Sequence, residues 1–303
     1  MENRDILGPP GRTNTVLLVG GDLCARTAER LDPGHWCCIG LRRRAMNADS
    51  GPDSRLHWLR ADLADPATLA RALASIGPIT HLVYAPAPDA RTAQAYDRAY
   101  PAGLRALLDV LPDPEGLQRC VLVDSTAVWG PDTTASDADA WVDEDTPAVP
   151  ADFRGAAMLA AEALLHTRLP GRGTALRLSG LYGPERLRLL DGLRAGRIIA
   201  PDGPGHWANR IHIDDAAQAC VHLLMQDDPL PCVIGTDDRP LPTGVLYETL
   251  ARLAGGPAPV HEFRPPDGKR LSNARLRASG WTPAWPDMLE GYAAAITASQ
   301  SRT

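Results

Sequence analysis

The chain has 303 residues, 44% of them apolar and 22% charged, with a formal net charge of −6. That balance is ordinary for a soluble globular protein, and the length suits one large α/β domain or a domain with a small lobe. A net negative charge gives no footing on nucleic acid or an anionic membrane, and no apolar run reaches the ~20 residues needed to span a bilayer.

The opening residues 1–14, MENRDILGPPGRTN, lack an apolar signal core and read as a disordered leader. Six cysteines (Cys24, Cys37, Cys38, Cys120, Cys220, Cys232) show no metal-type spacing. They read as free thiols in a reducing cytoplasm.

The stretch TVLLVGGDLCARTAERL, residues 15–31, organises the rest of the chain. Residues 16–19 have the pattern of a parallel strand buried on both faces. Gly20 and Gly21 break it, and a helix is expected over 22–31. A strand, a tight glycine turn and an immediate helix form the first unit of a dinucleotide-binding fold, with the pyrophosphate at the positive helix end. Gly20, Gly21, Asp22 and Leu23 are the contacts expected there. The motif is imperfect: G-x-G-x-x-G would need glycine at Val19 and Cys24, and G-x-x-G-x-x-G at Leu23 and Arg26. A second reading therefore stands beside the first, an inherited turn that folds but no longer grips phosphate.

A second strand is expected over 35–41, ending in Arg42, Arg43 and Arg44. The tip of this strand meets the adenosine ribose in such folds. An acid there favours NAD and arginine accommodates a 2′-phosphate, so NADP(H) is expected over NAD(H). A third strand covers 56–59. Asp65 and Pro66 then make a capped start to a helix over 66–75. The fourth strand, 80–84, runs into the proline-rich loop APAPDA. A helix over 92–111 and a fifth strand over 119–124 come next. Residues 128–150 are polar and acidic, anchored by Trp129 and Trp141, and too long for an ordinary connection. A helix over 153–167 and a sixth strand over 174–178 complete a βαβ series, which requires a doubly wound parallel sheet. Beyond Gly180 the spacing predicts helices at 185–195, 214–226, 243–254 and 286–298, with 232–234 returning a strand. The division expected is a leader (1–14), a dinucleotide-binding domain of Rossmann type (15–180) and a smaller substrate lobe (181–303).

Several segments in order carry a resemblance: ADLAD (61–65), DSTAVWG (124–130), LAAE (159–162), RLSGLYGP (177–184), NRIHIDDAA (209–217) and SNARLRASGW (272–281). Together they make the chain similar to the extended, nucleotide-sugar-epimerase-like branch of the short-chain dehydrogenase/reductases, in particular to atypical NAD-dependent epimerase/dehydratase members. The resemblance implies that Asp62 bonds the adenine amino group with Leu63 beside the ring. It implies that Tyr84, Ala85 and Pro86 pass the cofactor, that Ser125 is the catalytic hydroxyl, that Tyr182, Gly183 and Pro184 lie beside the nicotinamide and substrate, and that Arg210, His212 and Asp215 belong to the R-x-x-x-x-D segment before a lobe helix. Thr126, Trp129, Arg154 and Arg210 are the substrate contacts expected with them. Asp214 or Asp215 is expected to cap its helix. The helices 92–111 and 153–167 commonly pair across a two-fold axis in this family, so a homodimer is expected.

One departure matters. By register with LAAE, the family's Tyr-x-x-x-Lys falls on Arg154 and Met158. Arginine stays protonated near neutrality and methionine has no charge, so the usual proton relay is missing. The leading expectation is an NADP(H)-dependent oxidoreductase or epimerase/dehydratase-like enzyme on a small polar or nucleotide-linked substrate, with Ser125, Tyr182 or His212 as the acid/base. The alternatives are a redox-inactive lyase, isomerase or cyclase in the same cleft, and a non-catalytic nucleotide-sensing protein.

Overall fold

The computed structural model describes residues 14–43, 55–74, 76–134, 137, 139–203, 205–266 and 268–300. The expected leader, apart from Asn14, and Arg44 lie outside the described residues. Seven strands make the central sheet: β1 (Asn14–Gly20), β2 (Trp36–Arg42), β3 (Leu56–Arg60), β4 (His81–Ala85), β5 (Arg119–Ser125), β6 (Gly173–Leu178) and β7 (Cys232–Gly235). Their spatial order is β7-β6-β5-β4-β1-β2-β3. The pairs β1–β2, β2–β3, β1–β4 and β4–β5 run parallel. This is the Rossmann-type doubly wound arrangement, and its order reverses between β1 and β4, where a crevice opens at the strands' C-terminal ends.

The apolar runs explain the sheet. Val16, Leu17, Leu18 and Val19 are buried, as are Leu82, Val83 and Tyr84 on β4 and residues 120–124 on β5. Strands buried on both faces need helices on both sides. Those in the first part of the chain are α1 (Asp22–Arg30), α2 (Pro66–Leu73), α3 (Ala93–Ala99), α4 (Pro101–Asp109) and α5 (Phe153–Arg168). The Asp65 carboxylate caps α2 by accepting the amides of Ala67 and Thr68, both at 3.1 Å. The single helix expected over 92–111 is in fact two. Pro101 disfavours helical backbone at the residue before it, and Tyr100 adopts φ −96°, ψ −89°. Pro101 then opens α4, where a missing N–H costs nothing.

The chain divides into two compact units. One holds residues 1–125, 152–176 and 217–232; the other holds 126–151, 177–216 and 233–303. The second unit therefore takes most of the expected lobe and adds the long acidic segment. In it α6 (Arg188–Arg194), α8 (Thr243–Ala254) and α10 (Met288–Gln300) contribute Leu190, Leu193, Leu246, Leu250, Met288 and Ile296 to a core shared with Tyr182 and Tyr292. Between α6 and α8 runs α7 (Ile213–Leu224), and between α8 and α10 the short α9 (Ala274–Ala278). Short parallel pairs brace this unit: Gly180–Tyr182 with Arg210–His212, and Trp141–Val142 with Arg270–Leu271.

Candidate functional site

At the reversal of the sheet a cleft of about 380 Å³ is lined by residues that follow β1, β2, β3 and β4 and by one side of α3. Its floor is the glycine turn. Gly20 has φ +151°, and a Cβ there would stand 2.4 Å from the Ala85 carbonyl oxygen, so only glycine lets the ends of β1 and β4 come this close. Gly21 precedes α1 and, as a glycine, brings no capping side chain to that helix start. Amides at a helix start and its positive end are what a pyrophosphate binds. Of the residues that break the motif, Val19 lines the cleft, whereas Leu23 and Cys24 are buried, and the Cys24 sulfur packs 3.1 Å from the Cβ position of Gly20. Asp22, expected at the cofactor, pairs with Arg26 Nε at 2.9 Å. Of the four residues expected at the turn, Gly20 and Gly21 line the cleft.

The basic wall is built through a stack. Gly40 and Trp58 are register partners on β2 and β3, and a Cβ on Gly40 would stand 2.4 Å from the indole. The glycine lets Trp58 lie against β2, and the Arg42 guanidinium rests on that ring, 4.6 Å from its centroid. This places an Arg42 nitrogen 3.5 Å from the Cβ position of Gly21, above the turn. Arg43 also lines the cleft and donates to Asp89 at 2.9 Å. Asp62 and Leu63 line it too, with Asp62 accepting the Ala64 amide at 2.9 Å. Tyr84 does not line the cleft with its side chain: it is fully buried and donates its hydroxyl to the Ala99 carbonyl at 2.5 Å. From that strand end Ala85 offers its carbonyl to the turn, and Pro86 lines the cleft. Asp89 and Arg98, also lining it, were not singled out from the sequence. Their signal was position, in the loop and helix that follow β4.

Ser125 ends β5, half-buried, and Thr126 opens a short turn over Thr126–Val128. Asp152 caps α5 through the Arg154 amide at 2.8 Å. The Arg154 side chain folds back onto the same carboxylate, Nε at 2.8 Å and Nη2 at 2.6 Å. That pairing draws the Asp152 carboxyl below its usual range and keeps Arg154 charged. One turn on, Met158 is buried. Trp129, expected against substrate, is packed as an anchor. It is 1% exposed, its Nε1 donates to the Thr146 carbonyl at 3.0 Å, and the Arg177 guanidinium covers its ring.

Within the second unit Tyr182 is fully buried, stacked on Tyr292 at 4.3 Å and meeting His212 edge-on at 5.2 Å. Burial drives its phenol well above the ordinary range. His212 is buried as well, and its Nδ1 accepts the Asp214 amide at 3.2 Å. The histidine ring thus serves the helix start that Asp214 or Asp215 was expected to cap. The Asp215 carboxylate instead accepts the amides of Ala284 and Trp285, at 2.7 and 3.0 Å. Arg210 lies over Gly180, donates to the Asn209 carbonyl at 3.1 Å, and bonds the Tyr292 hydroxyl. Asp237 went unnoticed in the sequence. It is 2% exposed, and burial pushes its carboxyl up to about 8.

A parallel sheet reversing over a glycine-floored, arginine-walled cleft is the arrangement of a Rossmann-type dinucleotide-binding fold. The profile of the NAD-dependent epimerase/dehydratase family matches residues 18–235, and the chain belongs to that family. A structure named for the NAD-dependent epimerase/dehydratase class, from Methylobacillus flagellatus, is 35% identical with a TM-score of 0.76, covering 95% of this chain and 99% of that one. The 3-diazoavenalumate denitrifying reductase of a Streptomyces species is 29% identical over 188 residues, 55% of this chain and 60% of that protein. The matches span about three fifths of the length of the curated relatives. The Bordetella bronchiseptica enzyme WbmG, solved in complex with NAD, shares the fold at 19% identity, with a TM-score of 0.75 and 96% of each chain covered. Among the described residues no helix is long and apolar enough to cross a membrane.

Proposed function

We propose that the cleft binds a nicotinamide dinucleotide, NADP(H) in preference to NAD(H), and that the chain is an oxidoreductase or epimerase/dehydratase-like enzyme acting without a Tyr-x-x-x-Lys relay. One observation carries the reading: the Gly20 turn, closed to any side chain by the Ala85 carbonyl, lies beneath the Arg42 guanidinium in one cleft. Gly20 and Gly21 let backbone approach the pyrophosphate, Asp62 and Leu63 meet the adenine, and Arg42 and Arg43 meet a 2′-phosphate. When bound, such a cofactor supplies reversible hydride exchange. Ser125 holds the substrate oxygen and exchanges its proton, while Arg154, anchored on Asp152, attracts an anionic substrate group. The substrate is a small polar or nucleotide-linked molecule. Free thiols, five of the six buried, fit a reducing compartment such as the cytoplasm.

Calorimetric titration of NADP(H) and NAD(H) into the protein tests this, with Arg42→Ala and Arg43→Ala alongside. Tighter NADP(H) binding that weakens in both variants is expected; tighter NAD(H) binding, or no response to either substitution, rejects the preference. A second reading has its own support, since a buried Met158 and a charge-paired Arg154 stand where the relay belongs. On it the protein is a redox-silent lyase, isomerase or cyclase, or a nucleotide sensor. Substrate-dependent turnover without added nucleotide identifies the first of these.

A further inference from the structure

Arg43 comes from the end of β2 and Asp89 from the loop after β4, and in the sheet these two strands flank β1. Their ion pair, Arg43 Nη1 to Asp89 Oδ2 at 2.9 Å, therefore bridges the cleft across the end of β1. Both side chains are about half exposed, at 49% and 46%. Arg98, on the same cleft wall, adds its field to that of Arg43, and together they hold the Asp89 carboxyl below its ordinary range. The loop carrying Asp89 is stiffened by Pro86 and Pro88, which limits how far the carboxylate can swing.

We propose that Asp89 is a specificity-determining residue: its carboxylate holds Arg43 in place of a 2′-phosphate and must be displaced for a phosphorylated adenosine to bind. The inference rests on the cofactor reading above. A guanidinium offers a planar fork of donors, and a carboxylate and a phosphate compete for the same edge. Exposed ion pairs are weak, so a phosphate dianion can win that competition. It then lies beside a carboxylate that has lost its partner, and the like charges repel. A 2′-hydroxyl asks nothing of Arg43 and meets neither cost. Asp89 thus narrows the preference that Arg42 and Arg43 create.

The probes are adenosine 2′,5′-bisphosphate and 5′-AMP, which differ only in the 2′-phosphate. They are titrated by calorimetry into the wild type, Asp89→Asn, Arg43→Ala and the double variant. Asp89→Asn is expected to tighten the bisphosphate by roughly threefold to tenfold, the scale of an exposed charge pair plus a removed repulsion, and to leave 5′-AMP unchanged. The gain is expected to shrink in the Arg43→Ala background, where only the removed repulsion remains. An unchanged ratio in Asp89→Asn, with the bisphosphate still weakened by Arg43→Ala, overturns the proposal and leaves the cofactor reading standing. Equal tightening of both probes also overturns it, as a general charge effect. A ratio indifferent to Arg43→Ala, or no binding of either probe, overturns the cofactor reading together with the proposal.

Discussion

A Cβ on Gly291 would stand 2.0 Å from the Tyr182 hydroxyl, and that hydroxyl has no hydrogen-bond partner among the described residues. A buried, unanswered hydroxyl costs roughly 1–3 kcal/mol, so Tyr182→Phe is expected to hold or raise stability in urea unfolding and to leave turnover within a few-fold. A loss of a hundredfold or more in kcat with stability unchanged would return Tyr182 to catalysis, since an acid/base contributes ~10²–10⁴-fold. Tyr182, Trp129 and Tyr84 share one history. Each was expected at the cofactor or substrate and carries a polar tip, yet packing against residues distant in sequence decides that each is buried. Gly20, Gly21, Arg42, Arg43 and Asp62 were legible because turn chemistry and strand-end position are local properties. Asp89 and Asp237 were not, because a single acid in a loop looks the same whether it meets solvent, an arginine or a core.

Helix α5 carries the two positions, Arg154 and Met158, on which the expected relay falls. Met158 faces inward one turn after Arg154, so Met158→Leu conserves volume and is expected to leave kcat within a few-fold. Ser125→Ala is expected to lower kcat by ~10²–10⁴-fold, and Arg154→Ala to raise KM with kcat nearly unchanged. Steady-state kinetics on the three variants decides; a several-hundred-fold fall for Met158→Leu in folded protein would mean the relay register on α5 is misplaced. The strands and long helices were readable from apolar runs and capping residues, and all seven sheet strands lie within two residues of their expected bounds. Pairs as short as Trp141–Val142 with Arg270–Leu271 have no periodicity to detect. They are fixed by contacts such as Arg270 lying over Trp141 at 4.3 Å and Trp207 at 4.8 Å.

Stability of the whole molecule carries the signature of Asp237. Burial raises its carboxyl to about 8, helped by Asp287 and Asp238 and opposed by the nearby amides of Met288 and Arg239. Neither amide closes a full hydrogen bond to it. The sign comes from proton counts. Between the unfolded value of 3.8 and about 8 the native protein holds a proton that the unfolded chain has lost. Stability therefore falls as pH rises through that window and levels off above it. Denaturation midpoints at about pH 5, 7 and 9 are expected to decline for the wild type and to decline less for Asp237→Asn, whose side chain never ionises. Superimposable profiles would show that Asp237 is charged at neutrality.

The interleaving of the two units has a consequence for synthesis on the ribosome. Strand β5 gains its neighbour β6 only after residues 126–151 have emerged, and those belong to the other unit. Until then the apolar run 120–123 presents an open strand edge, the kind of surface that recruits stray strands. The second unit waits longer still, because its core draws on Tyr182, Leu246 and Ile296 from separated stretches of chain. Such long-range closure folds slowly, which lengthens the time for which that edge and the unfilled core stand open.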